Sequence, residues 1–267
     1  MNWQKTVAIV VPLSYRQELT ADEQVSLRHL THFLGRYDKY ALVPKGVRFN
    51  LPGLEVKPFP RKFFGTPAAN DRLGLSRYFY EAFSDYQYML IYHLDALAFS
   101  DQLLDWCATD LDFIGPPWLP CTDSPWVKTP RVGNGGFNLR KVNSYLKVLD
   151  SSIPSTDPEK YWKRNFSTKP KYVQYINLPK KYLKRVPWFN GVKWETHRWS
   201  TADEYFWVDR GIHYYPDFKV ASVEQGLRFG FEVAPRMCFE LNGNKLPFGC
   251  HAWTRYDRAF WEPYLLN

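Results

Sequence analysis

YMLIYHLDALAF, residues 88–99, is the most strand-like stretch of this 267-residue chain, and an acid stands near its end. A run this apolar suits a strand buried on both faces of a sheet, the usual situation in α/β proteins. A lone carboxylate after it is costly unless it sits at the strand end, where a cation or hydrogen-bond donors meet it. Ligand sites of open α/β sheets lie at the carboxyl ends of strands. Asp95 therefore reads either as a metal ligand or as a structural cap on the next turn.

The flanking sequence extends the pattern. Upstream, VAIVVPL (7–13), KYALVP (39–44) and LEVKPF (54–59) are further strands. Thr20 followed three residues later by Glu23 has the form of a capping box, opening a helix with Val25, Leu27, Leu30, Phe33 and Leu34 as its apolar face until Gly35. RLGLSRYFYEAF (72–83) is a second helix. Downstream, Ser100 caps a short helix, DQLLDWC (101–107), and DFIGPPW (112–118) is a short strand and turn. Between 150 and 197 the periodicity breaks into proline, aromatic and lysine clusters, with SSIPSTDP (151–158) as a loop. A helix resumes in STADEYFWVDRG, capped by Ser200 or Thr201, with Asp203 and Glu204 in its first turn. Alternating strands and helices of this kind predict an α/β domain with a central mixed, mostly parallel sheet flanked by helices.

Bulk properties narrow the class. A hydrophobic content of 45% with 18% aromatics excludes a disordered chain. Cys107, Cys121, Cys238 and Cys250 form no CxxC pair, so neither a zinc site nor a disulfide framework is expected. The N-terminal apolar run is too short to span a bilayer and lacks a signal-peptide cleavage site, which points to a cytoplasmic protein. The formal charge of +8 is concentrated: residues 160–198 hold eleven Lys/Arg and one acid, Glu195. That is a basic patch on an otherwise near-neutral protein, not a uniformly basic one.

Three more segments carry candidate chemistry. In GNGGFNLR, glycines allow either a tight bulged hairpin or a close approach of ligand to backbone. The motif GxxxxGK[ST] is absent, which disfavours a phosphate loop. In TADEYFW the adjacent acids face different ways on a helix, so one can serve as a general base while the other stabilises the helix start. In LPFGCHAW, His251 is either structural or a metal ligand whose partners lie far off in sequence.

Their order is more specific than any one of them. VAIVVPLSY, RLGLSRYFYEAF, YMLIYHLDALAFSDQLLDWC, DFIGPPW, VGNGGFNLRK, DEYFW and PFGCHAW together resemble a family of GT-A-fold glycosyltransferases catalogued as a domain of unknown function. The resemblance implies one GT-A-like, Rossmann-related domain over residues 1–267, with a basic, aromatic-rich insertion at about 151–198. It implies an enzyme that transfers a sugar from a nucleotide-diphosphate sugar to a glycan or lipid-linked acceptor, inverting at the anomeric carbon, with Mn²⁺ or Mg²⁺ as cofactor. Asp95 matches the acid of a DxD-type metal motif, with His93 in place of its first acid, and His251 matches a late metal-binding histidine. Asn134, Gly135, Gly136 and Phe137 match the segment lining donor and acceptor, and Pro12 and Arg72 are assigned to the same binding set. Glu204 takes the position of the catalytic base and Asp203 that of a group binding sugar hydroxyls, although the family order is commonly Glu-Asp.

Two rival readings remain open: a carbohydrate- or nucleotide-binding module without chemistry, supported by the irregular His93-Asp95 motif, and a nucleic-acid-binding protein acting through the basic segment. The aromatics interleaved with Lys180, Lys181, Lys184 and Arg185 either suit an anionic acceptor on the acceptor side of the cleft or merely anchor a basic loop to the core. Contact with the inner face of an anionic membrane is part of that expectation.

Overall fold

The computed structural model describes residues 5–16, 18–49 and 51–266. Residues 1–4, on which the leader reading partly rests, lie outside them. The first half runs β1 (Lys5–Pro12), α1 (Ala21–Leu34), β2 (Asp38–Pro44), β3 (Glu55–Phe59), α2 (Pro67–Gly74), α3 (Arg77–Glu81), β4 (Tyr86–Tyr92), β5 (Leu97–Ala98) and α4 (Leu103–Ala108). Then follow β6 (Phe113–Ile114), β7 (Pro117–Trp118), β8 (Arg131–Val132), β9 (Phe137–Lys141) and α5 (Val142–Leu149). The basic segment folds as α6 (Pro158–Phe166), α7 (Lys171–Leu183), α8 (Pro187–Asn190) and α9 (Val192–Arg198). The chain continues with α10 (Asp203–Tyr214), α11 (Val223–Phe229), β10 (Gly230–Phe231), α12 (Pro235–Leu241), β11 (Gly249–Cys250) and α13 (Arg258–Trp261).

Six strands form the central sheet in the order β3-β2-β1-β4-β9-β6. β3, β2, β1 and β4 are mutually parallel, whereas β9 runs antiparallel to both β4 and β6. Ala8 to Val11 and Met89 to Leu90 have no exposed surface, which is why both runs read as continuously apolar. Side chains alternate across the sheet. On one face Tyr92 donates its hydroxyl to the Ser26 carbonyl of α1 at 2.9 Å. On the other, Asn138 and Arg140 of β9 stand beside Ile91 and Met89, and Arg140 reaches Tyr80 of α3 and Asp203 of α10. Helices therefore cover both faces, as the sequence predicts.

Several local expectations change. The run 88–99 is not one strand: β4 ends at Tyr92, residues 93–96 turn, and β5 joins a separate three-stranded sheet ordered β10-β11-β5. The predicted helix 72–83 breaks at Leu75–Ser76 into α2 and α3. Ser100 does not cap α4, whose N-cap is Gln102, and α10 starts from Ala202 rather than from a Ser200 or Thr201 cap. β8 and β9 are no hairpin, because β8 pairs with β7. The Thr20–Glu23 capping box forms as expected, but the buried stripe of α1 is Ser26, His29, Leu30 and Leu34, since polar groups here serve neighbouring strands. His29 Nδ1 lies 2.8 Å from the Ala98 carbonyl. All four cysteines are free thiols, and no helix among the described residues is long and apolar enough to cross a membrane.

The small sheet aligns distant segments by register. Gly249 pairs with Gly230 on one side and with Ala98 on the other. A Cβ on Gly249 would stand 2.3 Å from Phe137 Cζ and 2.6 Å from the Leu97 carbonyl oxygen, so a side chain there must wedge the sheet from the core. Gly249→Ala is expected to cost about 1–3 kcal/mol, read as a lower urea midpoint with unchanged slope.

Candidate functional site

Residues flanking the strands of the small sheet carry polar side chains. Glu232 follows β10, His251 follows β11, and Asp95 precedes β5. The His251 amide donates to the Phe231 carbonyl at 2.9 Å, and the Trp253 amide to the Asp95 carbonyl at 3.2 Å, which fixes all three backbones together. His251 Nδ1 lies 3.1 Å from Glu232 Oε1, and Nε2 lies 3.2 Å from Asp95 Oδ1. That second contact is poorly aligned: Nε2 is shielded from solvent and makes no hydrogen bond. The His93 ring stands edge-on to His251, centroids 5.7 Å apart. Nitrogen or oxygen atoms of His93, Asp95 and His251 all come within 4.8 Å of one another. The three expected metal ligands, scattered over more than half the chain, are brought to one point.

That point lies beyond the carboxyl ends of the adjacent strands β1 and β4, where the sheet order switches: β2 and β3 follow on one side of β1, and the chain crosses back from β3 to β4 on the other. A cleft of about 310 Å³ opens there, lined by Pro12, Arg16, Glu23, Phe49, His93 and Asp95 among others. Pro12 thus lines the same cleft as His93 and Asp95. Burial lowers His93 to about 4, helped by the neighbouring His251, so its imidazole is neutral. Burial disfavours the charged His251 ring, but the carboxylates of Asp95 and Glu232 outweigh it and raise the ring to about 10. Burial likewise opposes the Asp95 charge, yet His251 holds that carboxyl well below its ordinary range.

The GNGG turn sits against this cluster. A Cβ on Gly136 would fall 1.9 Å from His251 Nε2, and one on Gly135 would fall 3.1 Å from Glu204 Oε2. The groups that press on this backbone are therefore the protein's own histidine and glutamate. Asn134 is fully engaged in shaping the turn: Oδ1 accepts from the Gly136 and Phe137 amides at 2.9 and 3.1 Å, and Nδ2 donates to Glu232. Phe137 is wholly buried against Tyr92, Phe229 and Phe248. Neither Asn134 nor Phe137 offers a free side chain to a sugar, so their contribution is to position others.

Asp203 also differs from expectation. Its Oδ2 accepts from Arg140 Nη1 at 2.8 Å and from Trp207 Nε1 at 3.2 Å, inside the protein. This is a buried ion pair rather than a group binding sugar hydroxyls. Glu204 accepts no side-chain hydrogen bond from the described residues. The two acids do not diverge as helix geometry suggests: at the start of α10 their oxygens and one of Asp71 lie within 4.8 Å of one another. Burial, then the Asp203 charge, raises Glu204 to about 8 and Asp71 to about 6.

Other assigned residues lie apart. Arg72 lines a different cleft with Lys62, Arg77, Lys193 and His197. Lys181 and Arg185 pair with Glu159 at 2.6 and 3.1 Å, and Lys180 lies over the Phe166 ring. None of these three lines the cleft at Asp95. Two residues were missed in the sequence, Glu232 and Arg140. Glu232 stands in FGFEVAP, an acid within an apolar run, the same signal that singled out Asp95.

Removing the charge of Asp203 strands a buried guanidinium, so Asp203→Asn is expected to lose roughly 3–5 kcal/mol. Glu204→Gln behaves oppositely. The folded chain holds the Glu204 proton more tightly than the unfolded one, so that stabilisation is full below the ordinary carboxyl range and is lost as pH rises through about 8. The melting temperature of Glu204→Gln should therefore fall less than that of the parent as pH rises from the ordinary carboxyl range to about 8, as followed by calorimetry.

No curated protein matches the sequence. Among solved structures, the chain is similar to the glycosyltransferase GlyE of Streptococcus pneumoniae, with 10% identity over 99% of this chain and 61% of that chain and a TM-score of 0.45. It thus spans less than two thirds of the length of GlyE. It is also similar to the galactosyltransferase LgtC in complex with donor and acceptor sugar analogues, at 13% identity over 96% of this chain and 93% of that chain, TM-score 0.46. Mouse xyloside xylosyltransferase 1 gives 12% identity over 92% and 97%, TM-score 0.43. The family described as a protein of unknown function (DUF5672) matches residues 53–251, well over half of the sequence, and the chain belongs to that family.

Proposed function

We propose that this chain is a metal-dependent, inverting glycosyltransferase that takes a nucleotide-diphosphate sugar as donor and a glycan or lipid-linked acceptor, and that residues 151–198 are an insertion in one GT-A-like domain. The observation that carries the reading is the convergence of His93, Asp95 and His251 at the switch point of the sheet. Two donors about 2.0–2.2 Å from one cation stand roughly 3 Å apart when they subtend about a right angle. The 3.2 Å between His251 Nε2 and Asp95 Oδ1, with Nε2 otherwise unpartnered, suits such a pair. Two imidazoles in the donor set favour Mn²⁺ over Mg²⁺. When bound there, the ion would supply Lewis-acid stabilisation of the departing diphosphate.

The chain's own groups account for the rest. Glu232 holds the Nδ1 edge of His251, which aims Nε2 at Asp95. Gly136 leaves the space that the ring occupies. One residue earlier, Gly135 brings the backbone against Glu204, whose carboxylate takes the proton of the acceptor hydroxyl as its oxygen bonds to the anomeric carbon. Asp203 anchors the start of α10 through Arg140 and so positions Glu204.

Donor hydrolysis with Mn²⁺ tests the reading. Asp95→Ala should abolish metal-dependent turnover while the fold persists; undiminished turnover removes Asp95 from the mechanism. Glu204→Gln should lower kcat about 10²–10⁴-fold with little change in donor affinity. In the parent enzyme kcat/KM should rise with pH through about 8 as Glu204 ionises. A profile flat across that range in the parent, or a full-rate Glu204→Gln, contradicts the base assignment.

A further inference from the structure

Helix α7 is built inside out. Tyr172, Tyr175, Ile176, Pro179 and Leu183 recur at the spacing that makes one apolar stripe of a helix, the stripe that normally faces a core. Here it faces solvent, and Ile176 is 74% exposed. The opposite side packs on α6 through cations: Lys181 lies against Glu159 and over the Trp162 ring at 5.9 Å, and Lys180 over the Phe166 ring at 6.0 Å. Just beyond the helix, Trp188 is 86% exposed. Scattered apolar residues on a surface need no explanation, but a continuous stripe of this kind marks an interaction site.

We infer that this stripe docks the protein on the surface of an anionic lipid bilayer, with α7 lying in the plane of the interface. Charge complementarity selects that occupant. Lys163, Arg164, Lys169 and Lys171 are exposed, and no acid lies within ion-pairing distance of them among the described residues. Residues 160–198 hold a single acid, Glu195, and it is bound to Arg210. Anionic headgroups attract such a segment, and the apolar face enters the headgroup boundary beneath them. A second copy of the chain would bring the same cations face to face. A single-stranded nucleic acid would use the cations and stack on aromatics, yet Ile176, Pro179 and Leu183 offer it no stacking surface. Trp188 and the tyrosines have the apolar body and polar tip that suit a membrane–water interface. This surface does not depend on the chemistry assigned to the cleft.

The full chain should be sedimented with vesicles of phosphatidylcholine containing roughly one-third phosphatidylserine, and with phosphatidylcholine alone, at about 50 and about 500 mM salt. Partitioning onto the anionic vesicles is expected, at least about tenfold weaker on the neutral ones and at high salt. The triple variant Tyr175→Ser/Ile176→Ser/Leu183→Ser should bind at least about tenfold less while keeping its circular dichroism and melting temperature, because the altered side chains are exposed. Absence of partitioning by the parent overturns the inference, as does equal partitioning by the triple variant. So does a concentration-dependent rise in mass abolished by that variant without vesicle binding, which identifies a second copy as the occupant. Salt-sensitive binding to a single-stranded oligonucleotide without vesicle binding likewise overturns it in favour of nucleic acid.

Discussion

A guanidinium without water governs the architecture around the cleft. Arg140 is 2% exposed and cannot shed its proton, so Asn138, Tyr80 and Asp203 are committed to meeting its charge. Asn138 accepts from its Nε at 2.6 Å, while Tyr80 and Asp203 each accept from Nη1 at 2.8 Å. These contacts tie strand β9 to helices α3 and α10. They continue in the other direction, since Asn138 donates to the carbonyls of Asn134 and Gly135 and Asn134 donates to Glu232. A continuous polar path thus joins Asp203 to His251 through the interior. Each member fixes the orientation of the next, and removing one leaves its neighbours buried and unsatisfied.

The reversal of β9 gives this path its use. Because β9 runs against β4, the turn that feeds it emerges where β4 ends, on the edge of the sheet that carries ligands. A parallel strand would have put the glycines at the opposite edge. The three-stranded sheet then delivers Glu232 and His251 to the same place by pairing their strands in register with β5. Positional accuracy at the cluster therefore rests on strand pairing, which is more exacting than a loop can be.

The strands were legible because two-sided burial forces continuous apolar runs, and the capping box of α1 was legible because its chemistry is local. Asp95 could be singled out because a polar group beside an apolar strand is costly unless it has a purpose, whereas His251 stood out only through the resemblance of its motif. The pairing of His251 with Glu232 could not be read, since it depends on a register between segments far apart in the chain. Asp203 was misjudged for the same reason: next to Glu204 in sequence it looks like a second catalytic acid, and only the approach of Arg140 from β9 makes it an anchor. The basic segment hid four helices because Pro170, Pro179 and Pro187 punctuate it and read as breaks, although Pro179 stands inside α7.

The separation between Asp95 and His251 along the chain also orders events during synthesis. All the strands of the central sheet are made by the time Lys141 has been added, yet Glu232 and His251 are added long afterwards. A growing chain can pair its sheet while the acid at the end of β4 still lacks its histidine. Closing so long a loop carries an entropic cost that local contacts do not. The cluster therefore assembles after the sheet, and a chain released before Glu232 and His251 are added would carry the sheet without the site.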